Sequence, residues 1–135
     1  MNKIDTVIFD LDSTLVTIEG LDWLAQKKGV SPRSIEITKL SMEGKVDFKT
    51  TLIEKMNLIS PSYDDIVAMG DAYCTNIVEG AQEMVTRFLE AGIDVWIITG
   101  NFNPAVEMLS KKLGIKNVVC NKINFDSDGK YVGFD

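Results

Sequence analysis

The sequence predicts an α/β fold, a parallel sheet with an all-helical insertion after its first strand. Three observations carry this reading. Thr6-Val7-Ile8-Phe9 and Val95-Trp96-Ile97-Ile98 are short, continuous apolar runs rich in β-branched and aromatic residues, each closed by a polar turn. That is the pattern of parallel strands covered on both faces. Directly before the second run, Ala81, Met84, Val85, Phe88 and Leu89 recur at helical spacing, so helix and strand follow one another as in a right-handed crossover. Roughly sixty residues separate the first run from that helix, far more than a simple βα connection uses, so they form a unit of their own.

In chain order, the first strand is Thr6 to Phe9. Within 16–76, glycine and proline punctuate four amphipathic helices: around Leu21 to Lys28, after Ser31-Pro32, after Asp47 and after Ser60-Pro61, the last three each with a candidate N-cap. This divides the chain into a sheet layer, 1–15 and 77–135, and a helical cap, 16–76. Ala91-Gly92 stops the crossover helix, and the second strand follows. Asn103-Pro104 places proline at a helix start, Ala105, Met108, Leu109 and Leu113 share one face, and Gly114 terminates it. Val118-Val119-Cys120 reads as a third short strand. Ile123-Asn124-Phe125, Asp126-Ser127-Asp128-Gly129 and Tyr131-Val132 form a hairpin signal, expected as a surface flap.

The composition of the 135 residues, 45% hydrophobic and 25% charged, is that of an ordinary globular chain. Lys plus Arg number 14 and Asp plus Glu 20, a net charge of −6, which argues against nucleic acid or an anionic membrane as partner. No apolar run approaches the ~20 residues of a membrane span, and Met1-Asn2-Lys3-Ile4-Asp5 carries no leader-like apolar region, so the expected location is cytoplasmic. Cys74 and Cys120 lie far apart inside apolar stretches and read as buried, reduced thiols. Histidine is absent. Chemistry must therefore come from carboxylates, hydroxyls, lysines or a hard metal ion.

Phe9-Asp10-Leu11-Asp12-Ser13-Thr14-Leu15 is the most informative segment. Two acids one residue apart, at the carboxyl end of an apolar strand, stand where open α/β sheets bind ligands. Such a pair suits phosphoryl transfer, one carboxylate attacking phosphorus while its neighbour moves the proton and Mg²⁺ neutralises charge. Turn-forming aspartates that merely end a strand are the alternative. Ile97-Ile98-Thr99-Gly100 ends the second strand with a hydroxyl and a glycine, followed by the Asn103-Pro104 helix start. A hydroxyl, free N–H groups and a helix N-terminus would converge there on an anion, although an ordinary strand-to-helix turn has the same residues.

With these residues in view, the sequence resembles the haloacid dehalogenase superfamily. Asp10-Leu11-Asp12-Ser13-Thr14 looks like its first motif and Thr99-Gly100 like its second. The likeness is closest to phosphoserine phosphatases: Phe9 to Val16, Glu19, Met42-Glu43-Gly44-Lys45 and Phe48 follow their pattern. The resemblance implies a Rossmann-type sheet with a small cap and a Mg²⁺-dependent phosphomonoesterase acting on O-phospho-L-serine or a similar small phosphorylated metabolite in serine biosynthesis. Asp10 would be the nucleophile and Asp12 the general acid/base, with the Asp10 carboxylate and the Asp12 main-chain carbonyl holding Mg²⁺. Thr99 and the Gly100 N–H would bind phosphate. Glu19 would pair with the substrate amine, and Met42 and Phe48 would close over the substrate. A helix-surface acid and cap-core apolar residues are the bland readings of those last three.

Two departures qualify the likeness. Lys55 stands where the family carries the arginine that grips the serine carboxylate, which keeps charge but loses the bidentate fork. A solvated helix lysine is its plainer reading. The family's third-motif lysine and its Gly-Asp fourth motif have no counterpart after Gly100. The C-terminal part of the sheet is thus expected to be missing, leaving Thr6 to Phe9 as an exposed edge that invites self-association or pairing with a complementing segment. A non-catalytic half-domain acting in binding or assembly is the competing functional expectation.

Overall fold

A four-stranded sheet of order β1-β2-β3-β4 underlies the computed structural model, which describes residues 3–135. Met1 and Asn2, the start of the stretch read for a leader, lie outside the described residues. Strands β1 (Thr6–Phe9), β2 (Asp94–Asn103) and β3 (Asn117–Phe125) are parallel. β4 (Tyr131–Phe134) returns antiparallel on β3. The Asp126 side chain closes that hairpin by accepting the Asp128 and Lys130 N–H groups, both at 2.9 Å.

Between β1 and the crossover helix α5 (Ala81–Glu90) stand α1 (Gly20–Lys27), α2 (Ser31–Met42), α3 (Phe48–Ile59) and α4 (Tyr63–Thr75), and α6 (Ala105–Leu113) links β2 to β3. The four insertion helices and the two crossover helices are those the glycine, proline and apolar spacing predict. Their starts differ in detail. Asp47 caps α3 as expected, accepting the Thr50 N–H at 2.9 Å. Ser62, not Ser60, caps α4 in a reciprocal box with Asp65, while Ser60 ends α3 in the left-handed region at φ 44°. Val30 precedes α2 without a side-chain cap bond, and Ser31-Pro32 already lies in its first turn.

Both inner strands run longer than their apolar runs suggest. β2 continues through Thr99-Gly100 to Asn103, and α6 begins only at Ala105. β3 absorbs the segment read as the first arm of the hairpin. The two cysteines are free but only half-buried rather than buried, and burial pushes both thiols above their usual range.

One sheet face is covered. Val95 and Ile97 are buried in a single cluster with Val85 of α5 and with Val106 and Leu109 of α6, and the Phe88 ring lies 6.3 Å from Phe9. The other face departs from the expectation of two covered faces: Ile8 is 60% exposed, and Ile98 and Val119, paired in register, are exposed too. A continuous apolar run reports what a strand is suited to, and these residues supply no helix for that side.

The insertion leaves and re-enters the sheet layer at one point, where Val16 bridges Ile77 and the Val78 N–H donates to the Leu15 carbonyl at 2.9 Å. Two of its contacts with the sheet layer set the height of the helices. α4 lies so close to α6 that a Cβ on Gly70 would strike the Met108 sulfur and come within 3.1 Å of the Ala105 backbone. Leu52 and Met56 of α3 pack on the buried Phe102 of β2, which holds α3 above the carboxyl end of the sheet.

Asp65 ties this assembly internally. Burial opposes its charge, but the Ser62 N–H, the Ser62 hydroxyl and the Lys28 ammonium at 3.0 Å outweigh it and hold the carboxyl below its ordinary range. A depressed carboxyl pKa contributes stability above the ordinary value and loses it as pH falls through the folded one. Asp65→Asn is expected to cost about 1 kcal/mol at pH 6, and its gap to the parent in urea unfolding should close below about pH 3.8, the ordinary value of an aspartate.

Candidate active site

The parallel register sets Phe9 beside Ile97, so the residues that follow each strand meet at one edge of the sheet. On β1 the chain turns at once. Leu11 is fully buried and its carbonyl accepts the Thr14 and Leu15 N–H groups at 3.2 and 3.0 Å, while Ser13 takes the left-handed conformation, φ 55°. Alternation about the buried Leu11 leaves Asp10 exposed and Asp12 half-buried. The Leu11 N–H donates to Asp10 Oδ1 at 2.8 Å and fixes that carboxylate. Ser13 donates its hydroxyl to Glu19 Oε1 at 2.7 Å, drawing the start of α1 over the turn.

Asp12 is held from three directions. Its Oδ1 accepts the Gly20 N–H at 2.7 Å and the Tyr73 hydroxyl at 2.8 Å, and its Oδ2 accepts the Asn101 side-chain amide at 3.2 Å. Burial, followed by the charges of Asp12, Glu19 and Asp10, pushes the Tyr73 phenol far above its usual range, so it stays a proton donor.

On β2, Thr99, Gly100 and Asn101 together oppose the single residue Cys120, because the register steps from Ile98↔Val119 to Phe102↔Asn121. The segment bulges from the ladder, which re-aims its groups toward the edge. The Asn121 amide holds the Gly100 carbonyl at 2.8 Å, and Thr99 Oγ1 accepts the Asn101 N–H at 3.1 Å. Asn101 is 6% exposed; its Oδ1 accepts the Phe102 N–H at 3.0 Å, which turns its amide nitrogen toward Asp12.

These groups line a cavity of about 380 Å³ roofed by the insertion: Phe48, Thr51, Leu52 and Lys55 of α3, Thr38 of α2, and Glu19, Leu21 and Asp22 at the start of α1. Phe48 stands over the bulge, with its ring edge 3.6 Å from where a Cβ on Gly100 would lie. The Lys55 side chain is only 12% exposed and its ammonium lies 3.9 Å from the exposed Asp22 carboxylate. Such a pair is worth little energetically. It sets the cavity's lysine beside the Asp22 carboxylate.

Of the sequence-predicted residues, Asp10, Asp12, Glu19, Phe48, Lys55, Thr99 and Gly100 all line this cavity. Met42 does not: it is 83% exposed and opens on a neighbouring groove with Ile35 and Lys39. No residue of α6 lines the cavity either, so the expected helix N-terminus does not contribute. Sequence reasoning passed over Asn101, Asp22 and Tyr73. Adjacency to Thr99-Gly100 and a three-residue step from Glu19 were available signals for the first two, and Tyr73 left none.

The cavity presents four carboxylates, Asp10, Asp12, Glu19 and Asp22, against one lysine. Left alone, that charge repels a phosphate ester, and a hard divalent cation would offset it. Among the described residues no three acidic, histidine or cysteine side chains come together as a complete metal cage. Mg²⁺ does not need one, because it is commonly held by one or two carboxylates with water and substrate phosphate completing the shell. The oxygen donors on this edge fit it.

The haloacid dehalogenase-like hydrolase family model matches residues 4–133. The chain belongs to that family. It is 38% identical over 133 residues to the phosphoserine phosphatase of Rattus norvegicus, covering 97% of this chain and 59% of that protein. In structure it is similar to a phosphoserine phosphohydrolase-like protein from Francisella tularensis subsp. tularensis SCHU S4, with TM-score 0.84, 26% identity, and coverage of 98% of this chain and 65% of the other. It is also similar to a phospho-aspartyl intermediate analogue of phosphoserine phosphatase, with TM-score 0.80, 30% identity, and coverage of 96% and 61%. The chain thus spans about three fifths of the length of the curated relative described.

Gly20 belongs to the hold on Asp12. A Cβ there would come within 2.9 Å of the Asn101 amide nitrogen and closer still to the Met69 sulfur and the Tyr73 hydroxyl. Gly20→Ala is therefore expected to lower stability by about 1–3 kcal/mol through overpacking, read as a fall in the urea midpoint at unchanged slope.

Proposed function

We propose that this chain carries the nucleophile-bearing site of a Mg²⁺-dependent phosphomonoester hydrolase whose substrate is O-phospho-L-serine or a closely similar amino-acid phosphate. The observation that carries the reading is the meeting of Asp10 and Asp12 with the Thr99-Gly100-Asn101 bulge in one cavity under α3. Similarity to proteins named phosphoserine phosphatase, and to a structure described as a phospho-aspartyl analogue, supports it.

The chemistry divides among the chain's own groups. Thr99 and the Gly100 N–H bind the phosphoryl oxygens, and Phe48 closes over them and excludes water. Asp10, with Oδ1 occupied by the Leu11 N–H, attacks phosphorus through Oδ2. The new oxygen–phosphorus bond forms as the ester oxygen leaves, and Asp12 gives that oxygen a proton. Water then loses a proton to Asp12 and attacks the same phosphorus, releasing phosphate and regenerating the Asp10 carboxylate. The Asp10 carboxylate and the Asp12 main-chain carbonyl would hold Mg²⁺. The ion, when bound, supplies neutralisation of the crowded negative charge. Glu19 faces the substrate ammonium and Lys55 its carboxylate. On this reading the product is L-serine, formed in the cytoplasm.

The bare edge of β1 and the exposed face of Ile8, Ile98 and Val119 favour an extension of this reading: the chain works paired with further polypeptide, a second copy or a complementing segment. A lysine and a further acid brought by that partner would raise turnover by about 10²–10³-fold each, as electrostatic stabilisers of this kind do.

Asp10→Asn is expected to abolish Mg²⁺-dependent hydrolysis of O-phosphoserine and of 4-nitrophenyl phosphate, followed by phosphate release. Ordinary turnover in that variant would remove Asp10 as nucleophile. Lys55→Arg is expected to tighten O-phosphoserine binding by about threefold to tenfold, through a planar two-point contact with the carboxylate, and to leave 4-nitrophenyl phosphate unaffected. Equal effects on both would place Lys55 outside carboxylate recognition.

A further inference from the structure

The three donors on Asp12 are not equivalent. Oδ1 takes two short bonds, from the Gly20 N–H at 2.7 Å and the Tyr73 hydroxyl at 2.8 Å, whereas Oδ2 takes a single longer one, 3.2 Å, from Asn101. A carboxylate oxygen has two lone-pair directions, so Oδ1 is fully occupied and Oδ2 retains one open. The two donors on Oδ1 both come from the insertion, at the start of α1 and from α4, while Asn101 belongs to the sheet. Both insertion donors stand in filled surroundings. Tyr73 is 0% exposed, and the space above Gly20 is filled by Tyr73, Met69 and Asn101.

We propose that Tyr73 is a positioning residue for the reaction, its hydroxyl saturating Asp12 Oδ1 so that Oδ2 is the oxygen turned to the ester and to water. The inference rests on the phosphatase reading given above. Tyr73 does not line the cavity and acts only through Asp12. Because its bond crosses from α4 to the turn after β1, the aim of Asp12 depends on the insertion being seated.

A group that aims a proton donor matters in proportion to how much the leaving oxygen needs the proton. The alkoxide of serine needs it, whereas 4-nitrophenolate departs without it. In the full 135-residue chain, Tyr73→Phe removes the hydroxyl and keeps the ring. It is expected to lower kcat for O-phosphoserine by about tenfold with KM within twofold, and kcat for 4-nitrophenyl phosphate by no more than about twofold. In an Asp12→Asn background the same change is expected to do nothing further. Equal losses on the two esters, or none on O-phosphoserine, would overturn the proposal, since a purely structural role does not distinguish leaving groups.

Asp10-dependent hydrolysis of 4-nitrophenyl phosphate by the parent chain is the separate check on the phosphatase reading. Should that be absent, urea unfolding of the Tyr73→Phe and Asp12→Asn single and double variants decides the hold itself. Non-additivity of about fivefold or more in the unfolding constant sustains it, and additivity overturns it.

Discussion

Parallel pairing of β1 with β2, in the register that sets Phe9 beside Ile97, is the constraint on which the site depends. It brings the turn after β1 and the bulge of β2 to the same edge and the same height, one carrying acids and the other a hydroxyl and backbone amides. The pairing is anchored by burial on a single face, where Val95 and Ile97 join α5 and α6. Since side chains alternate along a strand, a slip of one residue would turn Leu11 outward and Asp10 and Asp12 into the apolar cluster. The hydrophobic pattern and the chemistry are therefore locked to the same register.

The second level of organisation is the insertion's use of polar contacts at its floor and apolar contacts at its flanks. Leu52 and Met56 on Phe102, and α4 on α6, supply non-directional burial that brings the helices down. Directional bonds from Gly20 and Tyr73 to Asp12 then define where they stop. The acidic cavity gains from this division. Bonded N–H and O–H groups meet the side-chain oxygens of Asp12, while Asp10 and Glu19 reach solvent. Charge crowding is thus tolerated in the folded chain and relieved when a cation enters.

Much of this was legible in the residues because it is local. Short apolar runs ending in Asp10-Leu11-Asp12 and Thr99-Gly100 announce strand ends with chemistry on them, and Gly92, Gly114 and Asp47 mark helix ends through backbone preferences that need no partner. What escaped depends on contacts distant in sequence. Whether Thr99 to Asn101 ends a strand or bulges within it is settled by β3, which takes the chain back into its ladder at Phe102. Periodicity identifies the apolar residues of α2 but not which groove Met42 meets. Tyr73 reads as one more apolar position of α4, and only folding reveals that its hydroxyl reaches a carboxylate 61 positions earlier. The apolar runs also promise two covered sheet faces, while the described residues place helices against one.

The narrowness of the passage at Val16 and Ile77 has a consequence for how such a chain can change over time. Because the Val78 N–H already meets the Leu15 carbonyl, the sheet layer senses a closed loop whatever lies between these residues. The entropy of closing a loop grows only logarithmically with its length. The sheet is therefore nearly indifferent to how many helices the passage admits, and lengthening or exchanging them would alter what the cavity accepts without disturbing where Asp10 stands. Selectivity is in this sense written in a replaceable cassette and the place of Asp10 in the strand beneath it, while the aim of Asp12 is shared between the two.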